Sequence, residues 1–283
     1  MEKTITKLAI MMAMFMSVTI VVSCGGDDEE TGGGGISDGG NNNPISTKHL
    51  VRKTWSGHSD RGDESGTDVY IYDSNGRIKM RKKEENSSRP KICQYIYEDN
   101  KIVCERDYYG RCTYTYTLSN GRIVKEVEEE SDGVYSYTYA YNDNGYLISI
   151  ACESYYYYDD ESYRGEYLLS WSNGNLINII HRYYRGTDLE EEYTYNYEYT
   201  NIPWPKNWIH DNHTEATNID DVLLYSGLFG KTPKNLPSKL KKDNETFTFD
   251  YVVENGVVTK FLEDYHTSDY TEIGNLVYNI YWE

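Results

Sequence analysis

The chain has 283 residues, a formal net charge of −18 at pH 7, and 31 tyrosines against 5 phenylalanines and 5 tryptophans. Such an acidic balance disfavours nucleic acid as a partner, because phosphates would be repelled. Tyrosine is typical of half-exposed strands, since its ring packs while its hydroxyl keeps a polar partner. The composition therefore predicts a β-rich domain with an unusually polar core.

The first residues have the features of an export signal. Lys3 and Lys7 precede an uncharged run from Leu8 to Val22, which Ser23 and Cys24 follow. This order is typical of a secretory signal peptide, and the run is shorter than the ~20 residues that span a bilayer. Residues 1–23 are therefore predicted to be a signal peptide that is removed.

Cys24 is the predicted site of lipidation. The segment Val21 to Cys24 resembles the bacterial lipobox, in which the cysteine thiol is acylated before the signal is cut. The alternative is an ordinary secreted protein with a chance cysteine at the junction. Acyl chains on Cys24 would anchor the protein, and this lipid is the only membrane contact that we predict.

Residues 24–47 are predicted to be a flexible tether. The acidic run Asp27 to Glu30 resembles the export tag of Bacteroidetes lipoproteins on the outer face of the outer membrane. A tether that stays on the periplasmic side is the alternative. Thr31 to Asn43 is rich in Gly, Asn and Ser, which behave as a flexible coil. Residues 48–283 are then expected to form a single tyrosine-rich β-sheet domain.

A recurring phrase organises this domain: two aromatic or apolar residues two positions apart, an Asn that Gly usually follows, and an aliphatic residue. The copies are Tyr70 to Ile78, Tyr95 to Ile102, Tyr114 to Ile123, Tyr139 to Leu147, Leu169 to Leu176 and Phe249 to Val258. Residues two apart share a strand face, and Asn-Gly supplies the positive φ angles of hairpin turns. The repeats predict an all-β fold, a large antiparallel meander of hairpins rolled into an open or closed barrel-like sheet.

In a meander every second connection lies on the same rim, so the Asn-Gly turns should share one rim and the longer connections the other. Those longer connections are Glu84 to Pro90, Asp107 to Gly110, Glu128 to Gly133, Ser154 to Gly165, Tyr183 to Glu192 and Asp264 to Asp269. Aromatic rings beside carboxylates on loops suit sugar or peptide recognition, although the same residues could be packing at the edge of the sheet. The predicted ligand-binding residues are Tyr108, Tyr109, Tyr155, Tyr156, Tyr157, Tyr158, Tyr183 and Tyr184.

Residues 203–242 interrupt the repeats and contain Pro203, Pro205, Pro233 and Pro237. Within them Asn218 or Asp220 could cap a short helix that ends by Gly230. The apolar residues expected to face the sheet are Ile219, Val222, Leu223, Leu228 and Phe229. The segment is predicted to be an inserted plug or cover.

Candidate chemical groups are few. If Asp107 to Tyr109 forms a three-residue loop, Cys104 and Cys112 lie opposite each other and could form a disulfide; four cysteines, with Cys93 and Cys152, are too few for a disulfide scaffold in a domain of this size. His210 and His213 lack a third ligand of suitable spacing, so no metal site and no cofactor are predicted. Charges on both faces of predicted strands such as Arg77 to Lys83 and Arg122 to Glu130 disfavour a lipid-facing band.

The lipobox with its acidic tail, the hairpins and the phrase Leu228 to Pro237 together resemble a Bacteroides lipoprotein family of unknown function. That resemblance covers most of the chain from Lys48 onward and implies a rolled, porin-like antiparallel sheet. It supplies no catalytic residues. The hairpins alone are also similar to the tyrosine-aspartate repeats of toxin and teneurin shells.

Our leading hypothesis is a surface-exposed, non-catalytic lipoprotein that binds a glycan, a peptide or an envelope partner through the aromatic rim. The alternative is a structural or assembly component that docks through a sheet edge or through Pro203 to Pro237. A third hypothesis is a glycan hydrolase that uses rim carboxylates such as Glu128 to Glu130, Asp159 to Glu161 or Glu190 to Glu192.

Overall fold

A computed structural model describes residues 48–59, 62–86, 88–107, 111–157, 162–205, 208, 217, 219–267 and 273–283. The fold is all-β, as predicted. The first eight strands are β1 Leu50–Ser59, β2 Gly62–Tyr72, β3 Ile78–Glu85, β4 Lys91–Tyr97, β5 Lys101–Asp107, β6 Arg111–Ser119, β7 Arg122–Glu129 and β8 Gly133–Tyr141. The other eight are β9 Leu147–Tyr156, β10 Ser162–Ser172, β11 Asn175–Arg185, β12 Asp188–Pro203, β13 Asn235–Lys242, β14 Glu245–Glu254, β15 Val257–Thr267 and β16 Ile273–Trp282. One helix, α1 Asp221–Tyr225, lies between β12 and β13.

The strands form one closed barrel. Each strand pairs antiparallel with the next in the chain, and β16 pairs with β1. The closing pair runs from Leu50 opposite Trp282 to His58 opposite Asn275. Closure supplies hydrogen-bond partners to what would otherwise be two exposed sheet edges. The predicted meander is confirmed, and its closed form is the correct one of the two that the sequence allowed.

The Asn-Gly connections lie together on one rim, which we call the turn end. Asn120 and Gly121 have φ angles of 50° and 73°, and both angles are positive, as a two-residue hairpin turn requires. The turn after Asp73 is longer: the Gly76 amide donates to the Asp73 carbonyl, and only Gly76 has positive φ. Both segments are thus hairpin turns, as predicted.

The opposite rim, which we call the loop end, has shorter connections than predicted. The prediction that Tyr183 to Glu192 is a loop is wrong, because β11 extends to Arg185 and β12 begins at Asp188. Tyr155 and Tyr156 likewise belong to β9. Tyrosine-rich segments extend the hairpins because their rings contact neighbours across the strands, which favours pairing over an open loop.

A hydrogen bond recurs at the turn end. In six strands, a tyrosine hydroxyl or tryptophan indole donates to a main-chain carbonyl on the preceding strand. The pairs are Tyr72 to Leu50 (2.7 Å), Tyr97 to Ile78 (2.8 Å), Tyr141 to Ile123 (2.6 Å), Trp171 to Leu147 (2.7 Å), Tyr199 to Leu176 (2.6 Å) and Trp282 to Val258 (2.7 Å). Four of these donors, Tyr72, Tyr97, Tyr141 and Trp171, are the second aromatic of a sequence phrase, and the bond satisfies their polar ends. The buried Tyr116 hydroxyl, at the same position of its phrase, has no hydrogen-bond partner among the described residues.

The predicted plug is present inside the barrel. Asp220 caps α1 by accepting from the Leu223 amide, and Val222 and Leu223 are fully buried. Phe229 follows, with its ring 4.8 Å from that of Tyr139. Two details differ from the prediction: the helix ends at Tyr225 rather than near Gly230, and the last eight residues of the predicted insert form β13. Among the described residues, no helix is long and apolar enough to cross a membrane.

Buried ion pairs tie the start of α1 to the inner wall. Arg81 on β3 donates to both carboxylate oxygens of Asp221 at 2.8 and 2.9 Å, and to Asp68 on β2 at 3.2 Å. Arg106 on β5 donates to Asp220 at 3.0 Å. Buried charges of this kind are tolerated only when they are paired, so these residues fix the position of the helix in the lumen.

The sequence phrase Leu228 to Pro237 binds the plug to the turn end. The Leu228 carbonyl accepts from the Ile123 amide at 2.8 Å, and the amides of Lys231 and Lys234 donate to the carbonyls of Gly145 and Gly174 at 3.0 and 2.9 Å. The phrase thus follows three successive hairpins along the rim. These main-chain hydrogen bonds give the phrase Leu228 to Pro237 its structural role.

Candidate ligand-binding mouth at the loop end

Strand register divides the predicted ligand-binding tyrosines between the two faces of the barrel wall. Successive strand residues point to opposite faces, so Tyr156 shares the inner face with buried Ile150, and Tyr183 shares it with buried Ile179. By the same alternation Tyr155 and Tyr184 lie on the outer face. Tyr157, at the end of β9, is 49% exposed. The predicted residues Tyr108, Tyr109 and Tyr158 lie outside the described residues.

Four inward-facing tyrosines on β8 to β11 form a continuous surface, which we call the aromatic wall. Tyr135 contacts Tyr156 edge to face, with ring centroids 5.7 Å apart. Tyr156 contacts Tyr163 in the same way at 5.6 Å. Tyr163 then stacks on Tyr183 at 5.6 Å with an interplanar angle of 16°. All four are partly exposed, so their rings border the mouth of the barrel rather than its closed core.

A second row of rings continues the wall towards the interior. Tyr167 stacks on His181 at 4.0 Å with an interplanar angle of 9°, and His181 lies 6.1 Å from the ring of Tyr193. Burial lowers the pKa of His181, which favours a neutral imidazole at neutral pH. A neutral imidazole offers one hydrogen-bond donor and one acceptor to a polar ligand.

Gly165 separates the two rows. It lies between Tyr163 and Tyr167 on β10, opposite Tyr183 on β11. A Cβ at this position would lie 3.3 Å from the Cβ of Cys152, which is closer than ordinary contact. Glycine therefore lets Cys152, His181 and Tyr167 pack closely against the main chain of β10.

Charged groups stand at the edge of the aromatic wall. The Arg185 guanidinium lies 5.4 Å from the ring centroid of Tyr163 and pairs with Glu190 at 3.1 Å. Tyr193 donates to Glu191 at 2.5 Å. Flat rings edged by hydrogen-bonding groups suit the stacking and hydroxyl recognition that a saccharide requires.

One group near the mouth has the composition of a metal site. The Cys112 sulfur lies 3.7 Å from Glu128 and 3.6 Å from Glu130, and the three ligand atoms fall within 4.8 Å of one another. Burial raises the pKa of Cys112 to about 12 and also raises that of Glu128. Burial therefore keeps Cys112 as a thiol at neutral pH, and a metal would have to displace its proton.

The predicted disulfide between Cys104 and Cys112 is wrong. Asp107 pairs with Arg111, which places Cys104 opposite Tyr114 and Cys112 opposite Arg106. The hairpin connection begins one residue later than assumed, and this shifts the partner on β6 by two positions. Cys93, Cys104, Cys112 and Cys152 are all free thiols.

The structure describes only some of the residues that were considered as catalytic or metal-binding candidates. Glu190 pairs with Arg185, and Glu192 pairs with Arg182 on the outer face at 2.7 Å. His210, His213 and Asp159 to Glu161 lie outside the described residues. The mouth residues that sequence reasoning missed are Tyr135, Tyr163, Tyr167, His181 and Tyr193. Counting every second residue from the neighbouring buried positions would have found them.

A closed antiparallel barrel of sixteen strands, with part of its own chain in the lumen, has the architecture of a porin-like protein. The chain belongs to a domain family of unknown function with a porin-like fold (DUF4595), whose model matches residues 70–268. The predicted family resemblance is confirmed to that extent, while the comparisons lend no support to the resemblance to tyrosine-aspartate repeats.

Two solved structures share this fold. A porin-like protein from Bacteroides uniformis is 19% identical, with a TM-score of 0.63, over 83% of this chain and 96% of that one. A porin-like protein from Bacteroides vulgatus is 11% identical, with a TM-score of 0.54, over 83% of this chain and 99% of that one. No curated protein is detectably similar to the chain.

Proposed function

We propose that this protein is a non-catalytic envelope lipoprotein, anchored through Cys24, that binds a glycan at the loop-end mouth. The aromatic wall carries the proposal. Its four tyrosines face the interior, and the centroids of neighbouring rings lie 5.6 to 5.7 Å apart, so they present a continuous ring surface rather than scattered contacts. Partly exposed tyrosines of this kind give large contact areas at a small cost in side-chain entropy.

The assembly alternative has weaker support. Docking through a sheet edge needs an unpaired strand, whereas each of the sixteen described strands pairs on both sides. Docking through Pro203 to Pro237 needs that segment to be available, and its described part is held inside the barrel by Arg81, Arg106 and the hairpin turns. Both observations give the alternative less support than the aromatic wall gives to glycan binding.

We propose that the protein is located at the cell surface; the alternative location is the periplasmic face of the outer membrane. The predicted signal peptide, Cys24 and the acidic run support an exported lipoprotein, and the porin-like fold of Bacteroides proteins is consistent with the envelope. Outward-facing ion pairs such as Lys239 with Glu198 at 3.2 Å support a wall in contact with water. Protease treatment of intact cells should degrade the protein if it is surface-exposed.

Matched variants test the binding site. We expect Tyr156→Ala with Tyr183→Ala to weaken glycan binding at least tenfold, equal to about 1.4 kcal/mol, because two stacking faces are lost. The control is Tyr155→Ala with Tyr184→Ala, which removes the same atoms from the same strands on the outer face. A glycan array followed by calorimetry on the mature chain provides the measurement.

The matched pair also defines failure. An equal loss of glycan affinity in the two double variants would show that binding does not depend on the inner-face tyrosines. The proposal would also be contradicted if the unmodified protein bound no glycan on the array, or if it bound peptides and no glycan.

A further inference from the structure

The turn end contains a cavity of about 890 Å³ between the plug and the barrel wall. On the β7 to β11 side, main-chain hydrogen bonds at Ile123, Gly145 and Gly174 bind the plug directly to the rim. The cavity lies beside these contacts. His49, Tyr72 and Tyr97 line it from one part of the rim, and Tyr146 and Gly174 line it from the part where the plug is bound. Its volume is within the range of about 300–1,000 Å³ that ligand pockets occupy.

The charged side chains that line the cavity are three basic ones, Arg77, Lys231 and Lys234, and two acidic ones, Glu98 and Asp99, so their balance is opposite in sign to that of the whole protein. Lys231 and Lys234 both line it, both are exposed, and within the described part of the chain neither pairs with a carboxylate. Glu98, also in the wall, is neutralised by Lys101 at 3.2 Å, and the guanidinium of Arg77 by Asp73 at 2.7 Å. Two such lysines at one cavity attract an anion.

The fold holds these lysines at fixed places. Their own amides donate to the carbonyls of Gly145 and Gly174, so the main chain at both positions is tied to the hairpin turns. The Lys231 ammonium also lies 5.1 Å from the ring centroid of Tyr146, a cation–π distance. A tethered main chain reduces the conformational freedom that ligand binding would have to remove.

The remaining wall is aromatic. Trp204 stacks on Tyr225 with ring centroids 5.2 Å apart and an interplanar angle of 19°, and both rings line the cavity. Tyr97 lines it from the rim, beneath the Arg77 guanidinium at 4.3 Å. A small inorganic anion would contact the lysines alone. A sugar ring that bears an acid group would contact both the lysines and the aromatic rings.

We infer that the turn-end cavity is a second binding site, which takes a saccharide bearing carboxylate groups. Lys231 and Lys234 bind the acid groups, and Trp204, Tyr225 and Tyr97 contact the sugar rings. This site lies at the opposite end of the barrel from the aromatic wall, and it does not depend on the function proposed for the mouth.

The test uses tetragalacturonate and its methyl ester, which has the same rings without the negative charges. We expect calorimetry on the mature chain to detect tetragalacturonate, with an affinity that falls as salt increases. Lys231→Met with Lys234→Met should weaken it at least tenfold. The control, Lys241→Met with Lys260→Met, removes two positive charges from the outer wall and should bind as the unmodified protein does.

Three results would overturn the inference: no detectable binding of tetragalacturonate, equal binding of its methyl ester, or equal loss in the two lysine double variants. The aromatic-wall variant Tyr156→Ala with Tyr183→Ala distinguishes the two proposals. It should retain tetragalacturonate binding, and loss of binding in that variant would assign the acidic saccharide to the mouth instead. Circular dichroism of each variant verifies that the barrel is folded.

Discussion

The two ends of the barrel use tyrosine in different ways. At the turn end, Tyr72 and its equivalents donate to half-buried carbonyls, and burial raises the pKa of Tyr72 to about 12. At the loop end, Tyr156 and Tyr163 contact other rings and stay partly exposed. The same residue type therefore holds strands together where its hydroxyl is bound to main chain, and forms a candidate recognition surface where its ring borders open space.

The difference extends to the plug. Ion pairs to the inner wall and main-chain hydrogen bonds at the turn end fix the plug, so substitutions that remove these contacts should affect folding. The aromatic wall depends mainly on ring contacts between neighbouring strands, so its substitutions should affect binding more than stability. Three predictions test this contrast, from the largest expected effect to the smallest.

Arg81→Met should destabilise the protein by about 3 kcal/mol, because it removes the partner that the buried carboxylates of Asp68 and Asp221 share. Asp68 keeps Lys53 at 3.4 Å, so the largest loss falls on Asp221. Urea unfolding followed by tryptophan fluorescence measures the loss. Arg182→Met, which removes an arginine paired with Glu192 on the outer face, is the control and should have little effect. Similar losses in both variants would mean that the plug is not held by this ion pair.

Gly230→Ala and Gly186→Ala compare positive-φ glycines from the two ends. Gly186 has φ of 59° and open space around it, so alanine there should cost about 1–2 kcal/mol through its backbone alone. At Gly230, with φ of 87°, the added Cβ would lie 2.5 Å from the Gly145 carbonyl oxygen. Overpacking should add about 1–3 kcal/mol. Thermal unfolding measures both, and an equal cost would contradict the close contact between plug and rim.

Glu126→Gln tests a buried carboxyl on the inner wall of β7. Burial, with smaller contributions from Asp220 and Glu128, raises the pKa of Glu126 to about 8 in the folded protein, while Tyr139 donates to it at 2.5 Å. Between the unfolded pKa of 4.5 and the folded value, the folded state keeps a proton that the unfolded state releases. Stability should therefore fall with rising pH, by at most about 1.4 kcal/mol per pH unit.

Because glutamine does not titrate, the Glu126→Gln variant should gain stability over the unmodified protein as pH rises from 5 to 8. At pH 5 the two proteins should be close, since the carboxyl is then largely protonated in the folded state. Urea unfolding across this range is the measurement. Parallel pH profiles for the two proteins would show that Glu126 is ionised in the folded barrel.

Much of the fold follows from local sequence patterns. Asn120-Gly121 and its equivalents specify hairpin turns through backbone conformation alone, and the plug helix follows from Asp220 and the apolar residues after it. Closure does not follow in the same way, because the pairing of Leu50 with Trp282 joins residues from opposite ends of the domain. The contact of Arg81 with Asp221 likewise joins residues 140 positions apart and has no local signal.

The candidate mouth was predictable only in outline. The loop-end tyrosines were found by composition, but their faces depend on where each strand ends, and a shift of one residue reverses every side chain. Tyr156 and Tyr183 consequently separate from Tyr155 and Tyr184, although all four were grouped as loop residues. The Cys104 to Cys112 bridge failed for the same reason.

The pairing of β1 with β16 makes the domain circular in space. His49 and Glu283 exchange two main-chain hydrogen bonds, at 2.6 and 2.9 Å, so the first and last described strands meet as any two neighbours do. Strand order around the ring is identical to strand order along the chain, and the position of the chain ends is only one of sixteen equivalent seams. A gene rearranged to start at another hairpin, with a short linker after Glu283, would encode the same ring of pairings.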